Sequence, residues 1–262
     1  MTSAAAMPAS DSQSSQFRYR DNPKVDQWIC FWSIPVFYLL FGIVFVLFGR
    51  IMPPPTPTMS TTDIVAFMTA PGLPFAVTLL ALTLGLYALN SGLMLYQMKR
   101  MEGVSPVLRY AYIAVLGVGG VPGCLFPGYM FALGAFRPEY EPHILVMLYD
   151  LGFLCFVGSL GCFIIQYVVF SIAVFLDRKG IFPKWLGYFS IWTLVTEIVA
   201  APVFITQSGP FAWDGLLAFY QGTIIWVGWQ TCVTVYLYKA IKSQPLAELD
   251  LPAAESRLDS RN

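Results

Sequence analysis

The chain has 262 residues, of which 57% are hydrophobic and only 11% are charged, and its formal net charge is zero. A soluble domain carries roughly 25% charged residues, so this chain has too few to cover a surface exposed to water. The zero net charge also excludes the overall basic footprint that nucleic-acid binding requires. We therefore expect an integral membrane protein whose surroundings are the lipid bilayer and whose partners include no nucleic acid.

The apolar residues form six blocks, each of which matches or exceeds the ~20 residues that a helix needs to cross ~30 Å of hydrocarbon. Strands of a membrane barrel are far shorter and alternate in polarity, so the blocks exclude a barrel. The predicted fold class is all-α, an integral membrane bundle of six transmembrane helices. The predicted spans cover approximately residues 28–49, 74–98, 107–136, 144–176, 185–206 and 213–238.

These spans define a transmembrane domain over residues 27–241, with polar tails at 1–26 and 242–262. We expect the first tail, and most of the chain from Lys239 onward, to be disordered, because neither has a sustained apolar period. The glycines and prolines between Gly117 and Gly128 favour a bend or break in span three.

A proline-rich stretch from Met52 to Met59 follows the first span and is expected to be stiff. Ser60 and Asp63 then have the spacing of a helix cap that opens a short apolar segment, Ile64 to Thr69. The segment is too short to cross a membrane. It either lies at the interface or folds over the mouth of the bundle, and the sequence leaves both alternatives open.

Lys and Arg residues are distributed unevenly between the predicted connections. Thirteen belong to the N-terminal tail, the chain from Lys239 onward, the connection between spans two and three, and the connection between spans four and five, whereas only Arg50 and Arg137 fall on the opposite side. Positive residues accumulate in cytoplasmic loops. We therefore expect both termini to be cytoplasmic and the protein to lie in the plasma (inner) membrane.

Two carboxylates, Asp150 and Glu197, fall inside predicted spans at a similar depth in the outer half of the membrane. A carboxylate at the centre of a bilayer costs about 2.5–3.5 kcal/mol, so such residues usually have a function or a partner. No Lys or Arg lies within a predicted span to pair with them. They must therefore be neutral, hydrogen-bonded, hydrated or paired with a cation from outside.

Other polar side chains of spans four to six fall near these two acids. Together they predict an outward-facing acidic and aromatic pocket with Trp213 at its rim, whose candidate ligand-binding residues are Tyr149, Asp150, Thr193, Glu197, Asp214, Tyr220 and Gln221. Structural alternatives stay open for three of them. Asp214 suits a helix N-terminus, Asp150 suits the interface, and Glu197 in its protonated form can hydrogen-bond to Thr193.

The five cysteines lie in apolar blocks, and the single histidine, His143, has no partner at the spacing of metal ligands. No phosphate-binding Gly-x-x-x-x-Gly-Lys-Ser/Thr motif is present. We therefore expect no metal and no cofactor, and we assign no catalytic residue.

Three functions remain as hypotheses. The first is binding or transport of a small amphipathic or cationic molecule in the acidic pocket. The second is an intramembrane enzyme that uses acid–base carboxylates on a lipid-like substrate. The third is an accessory subunit that packs against a partner membrane protein through small residues. Because no nucleophile or metal constellation is present, we rank binding or transport above catalysis.

Overall fold

The computed structural model describes residues 22–249 except residue 159, without the side chains of residues 116–122, 124 and 160–162. Within this part of the chain all regular structure is helical, which confirms the all-α class. The helices are α1 (Val25–Gly42), α2 (Thr61–Met68), α3 (Gly72–Thr83), α4 (Gly85–Lys99), α5 (Pro106–Phe136), α6 (Pro142–Gly158), α7 (Leu160–Leu176), α8 (Lys184–Val199) and α9 (Gln221–Ser243).

Shorter helical turns extend or join these helices. A π-helical turn continues α1 and another leads into α9, and 3₁₀ turns follow α8 and α9; their bounds are Ile43–Phe48, Leu216–Tyr220, Ala201–Phe204 and Leu246–Glu248. The π-helical turns add a residue per turn and so change which side chains face the bundle interior.

Four helical stretches of the described chain are long and apolar enough to cross a membrane: Val25–Phe48, Gly72–Lys99, Pro142–Leu176 and Lys184–Phe204. Large apolar side chains cover their outer faces, as at Leu82 (77% exposed) and Leu47 (67% exposed). Apolar faces of this kind are unfavourable in water and favourable in lipid. The helices thus indicate a membrane-embedded protein, and the count of six spans stays a prediction.

Helix α5 runs through the glycine- and proline-rich stretch without interruption over 31 residues. Of the two alternatives for span three, the break is therefore absent, and the bend stays a prediction. The expected helix cap at Ser60 is confirmed, since its Oγ accepts from the Asp63 amide at 3.2 Å and donates to the Asp63 carboxylate at 2.7 Å. The capped helix α2 buries Ile64 and Met68 in the bundle core, so α2 packs on the bundle.

Both termini of the described chain lie at the same end of the bundle, which we call the tail end. The Lys24 ammonium donates to the carbonyls of Ile241 (2.8 Å) and Gln244 (2.6 Å) at the end of α9. Beyond them, the Glu248 carboxylate accepts from both Arg100 and Lys179. The α4–α5 and α7–α8 connections thus meet the chain's two described ends, as the alternation of basic segments predicted.

These contacts correct the expectation of disorder after Lys239. Helix α9 continues to Ser243, and the Gln244 side chain is only 3% exposed. It packs in a buried amide cluster in which its Oε1 accepts from Gln27 at 2.9 Å. Satisfied polar groups of this kind allow a polar stretch to be ordered, which a count of apolar residues does not reveal. Residues 250–262 and 1–21 lie outside the described chain, so the expectation for them is untested.

The opposite end of the bundle is covered by residues 51–60, which we call the strap. The Trp213 indole donates to the Pro55 carbonyl at 2.7 Å, and the Tyr149 hydroxyl donates to the Thr56 carbonyl at 3.0 Å. Both donor side chains are buried beneath the strap. The proline-rich stretch therefore crosses the mouth of the bundle. These two side-chain hydrogen bonds hold it there, together with backbone hydrogen bonds from Ile51 and Met52 to the Phe45 carbonyl.

The buried apolar residues form two separate clusters. One lies toward the tail end and contains Phe170, Trp229 and Leu237. The other lies toward the strap end and contains Phe131 and Phe153. Protein interiors are normally packed to near-crystalline density. A functional cavity is therefore expected at the boundary between the two clusters and not within either of them.

Candidate ligand-binding cavity

A cavity of about 180 Å³ lies between the two apolar clusters. Its wall combines side chains from α1, α4, α6, α7, α8 and α9 with Met52 of the strap. The lining residues are Phe37, Tyr38, Phe41, Met52, Leu84, Tyr87, Gly123, Phe156, Val157, Phe163, Tyr167, Glu197, Ala218, Phe219, Gly222, Thr223 and Trp226. Aromatic rings make up most of this wall, so the cavity is an aromatic box.

Helix α9 shows how the sequence builds this wall. Gly222, Thr223 and Trp226 lie three, four and seven residues after Phe219 of the preceding π-helical turn, a spacing typical of one helix face. Gly222 leaves open space, since an added Cβ would meet no atom within 4 Å. The Trp226 ring meets the Tyr38 ring of α1 edge to face, with centroids 5.5 Å apart. Contact between α1 and α9 thus closes the box on one side.

Glu197 of α8 is the charged member of this lining. Within the described part of the chain its carboxyl has no hydrogen-bond or ion-pair partner, and no Lys or Arg is among the lining residues. The nearby Thr193 hydroxyl donates to the Phe189 carbonyl at 3.0 Å, so it does not satisfy Glu197. A carboxyl that is partly buried in an apolar wall without a partner needs an explanation, and a ligand is one.

Tyr167 of α7 supplies the second polar group at the cavity. Its side chain is 1% exposed, and its hydroxyl has no hydrogen-bond partner among the described residues. Glu197 lies close enough to interact electrostatically with this hydroxyl. A phenol can donate or accept a hydrogen bond and a carboxylate can accept. The box therefore offers one acid and one phenol to an occupant.

The other predicted carboxylates lie elsewhere. Asp150 and Asp214 both interact electrostatically with the Tyr149 hydroxyl, beneath the strap. None of these three residues lines the cavity. Asp150 and Glu197 thus occupy different surroundings, with Glu197 facing the aromatic box and Asp150 belonging to the strap end.

The remaining predicted residues also fall outside the cavity lining. Thr193 is fully buried in the helix packing of α8, and Tyr220 is 40% exposed on the outer face. Gln221 directly precedes two lining residues without lining the cavity itself, and its buried Oε1 has no hydrogen-bond partner among the described residues. Of the seven candidates, the structure places Glu197 alone on the cavity wall.

The other lining residues were not among the sequence candidates, and they include Tyr38, Tyr87, Tyr167 and Trp226. The predicted pocket was confined to spans four to six, whereas Tyr38 and Tyr87 come from α1 and α4. The clustering of Phe37, Tyr38 and Phe41 on one helix was a usable signal, because aromatic residues in mid-span are away from their usual interfacial position.

Metal binding has no structural support in the described residues, where no group of three or more His, Cys, Asp or Glu side chains comes together. Comparison with protein-family profiles, curated proteins and solved structures gave no match to this chain.

Proposed function

We propose that the protein binds a small amphipathic cation in the aromatic box, with Glu197 as the counter-charge. The observation that carries this proposal is the Glu197 carboxyl on the cavity wall without a protein partner. A cation placed beside it gains a charge-assisted interaction in surroundings that screen it poorly. Aromatic faces attract the same cation by about 0.5–2 kcal/mol per favourable contact.

The size of the cavity limits the ligand. At about 180 Å³, it is slightly larger than the roughly 150 Å³ cavity that holds a benzene molecule. It is smaller than the roughly 300–1,000 Å³ pockets of drug-sized ligands. The proposed ligand is therefore a single ring, or an aliphatic body of similar size, that carries one positive group.

For the placement of this site we propose six membrane spans, with both termini cytoplasmic and the strap end facing outward across the plasma membrane. Helices α5 and α9, with 31 and 23 residues, supply the two spans beyond the four apolar stretches. The basic residues at the tail end support the orientation. Cysteines introduced at Thr58 and at Ser243 should then react with an impermeant thiol reagent from opposite sides of the membrane.

The binding experiment uses the purified protein in mild detergent and benzyltrimethylammonium as the probe. We expect Glu197→Gln to weaken binding by between about 10- and 100-fold, the effect of losing a charged interaction of about 1.5–3 kcal/mol. Asp150→Asn is the matched control, because Asp150 lies outside the cavity, and its affinity should match that of the unaltered protein. If Glu197→Gln folds and binds the probe with unchanged affinity, the proposal is wrong.

An intramembrane acid–base enzyme is the second candidate, favoured by the presence of Glu197 and Tyr167 in the lining of one cavity. A carboxyl and a phenol at one cavity can act as a proton acceptor and donor. The test compares lipid extracts of cells with the protein, cells without it, and cells with Glu197→Gln. Lipid compositions that are identical in all three exclude an abundant lipid substrate.

A further inference from the structure

We propose that a cation and a proton compete for the Glu197 carboxyl, so that binding of one monovalent cation releases one proton from the cavity. This inference rests on the proposed function and adds an exchange of charge to it. It makes the site responsive to pH and able to couple cation binding to a proton gradient.

The empty cavity favours a neutral Glu197. Its wall is almost entirely apolar and aromatic, and no basic side chain is among the lining residues. A carboxylate that leaves water without gaining a partner loses its hydration energy, and such groups respond by taking up a proton. The Tyr167 hydroxyl can donate one hydrogen bond but brings no positive charge.

Among the residues that line the cavity, Glu197 is the group that gains or loses the proton in this exchange. Tyr167 of α7, Tyr38 of α1 and Tyr87 of α4 are the other titratable residues of the lining, and phenols ordinarily stay neutral below about pH 10. The lining residues of α6 and α9 have no titratable side chain. Asp150 and Asp214 act on Tyr149 at the strap end and do not line the cavity.

Entry of a cation makes the ionised form of Glu197 more favourable than the neutral form. A positive charge within a few ångströms stabilises the carboxylate, so the Glu197 O–H bond breaks and the proton leaves to solvent. The carboxylate and the cation remain as a neutral pair in the box. One positive charge enters and one leaves, so the net charge of the occupied cavity is the same as that of the empty one.

The test measures proton release with benzyltrimethylammonium, whose charge does not vary with pH. Calorimetric titrations in buffers that differ in ionisation enthalpy give the number of protons released per cation. At the acidic end of the pH range, we expect one proton to be released for each cation that binds. The affinity should rise tenfold per pH unit and level off once the carboxyl is ionised in the empty cavity.

Variants separate the outcomes. In Glu197→Gln the residual affinity should not depend on pH and no proton should be released, whereas Asp150→Asn and Glu197→Asp should both retain the release. Tight binding to the unaltered protein without proton release at any pH overturns the exchange and leaves the proposed binding function intact. Absence of binding throughout the pH range rejects both.

Discussion

The Trp213 indole and the Tyr149 hydroxyl donate hydrogen bonds to the strap, and the double variant Tyr149→Phe with Trp213→Phe removes both donors. An aromatic ring remains at each position, although the phenyl group at 213 is smaller than the indole that stacks on Phe153 at 5.6 Å. Each bond contributes about 1 kcal/mol net, so the pair contributes about 2 kcal/mol. Since every 1.4 kcal/mol is a tenfold change, we expect the strap to open roughly 30 times more often.

Hydrogen exchange at Thr58 and Met59 reports this opening, because both amides bond within the strap, to the Thr56 side chain and carbonyl at 3.3 Å. Met52 of the strap lines the cavity, so benzyltrimethylammonium should also associate faster with the double variant. Tyr220→Phe is the control, since it removes a hydroxyl from an exposed residue. Unchanged exchange at both amides in the double variant would refute the assignment of these bonds as the fasteners.

Two further predictions concern the tail end and the packing of α6. Hydrogen bonds from Lys179 and Arg100 hold the pKa of Glu248 below that of an ordinary glutamate. Docking of the Leu246–Glu248 turn is therefore complete above the ordinary glutamate pKa, and it is lost as the pH falls through the lowered pKa of Glu248. Hydrogen exchange of that turn should show this loss, and Glu248→Gln should abolish the pH dependence. In the second prediction, Gly152→Ala places a Cβ 2.7 Å from the Phe131 ring and should destabilise the fold by about 1–3 kcal/mol. The control Gly92→Ala meets nothing within 4 Å and should unfold in denaturant at or above the midpoint of the unaltered protein.

The sequence determined those features that depend on composition and local spacing. Long apolar blocks predicted the helices, and the cap at Ser60 was read from the residues that form it. Both are local properties, since a helix satisfies its own backbone and its cap lies within four residues. The gathering of basic connections at one end follows from the alternation of antiparallel spans.

Local signals failed where the outcome depended on distant partners. The polar stretch after Lys239 has no apolar period, yet Gln244 is buried because Gln27, 217 residues earlier, donates to it. The glycine-rich part of α5 has poor helix propensity but is continuous, because packing against neighbouring helices overrides propensity.

The candidate site likewise combines a feature that local spacing predicted with features that depend on distant partners. Helical rise singled out Glu197 as the deepest acid, because depth along a span depends only on the number of residues. Rise gives no information about which neighbour a side chain faces, and Asp150, expected at a similar depth, does not line the cavity. The aromatic box is assembled from helices that are distant in sequence and from the strap. Its existence depends on how those elements rotate and pack against one another, which the tertiary structure alone decided.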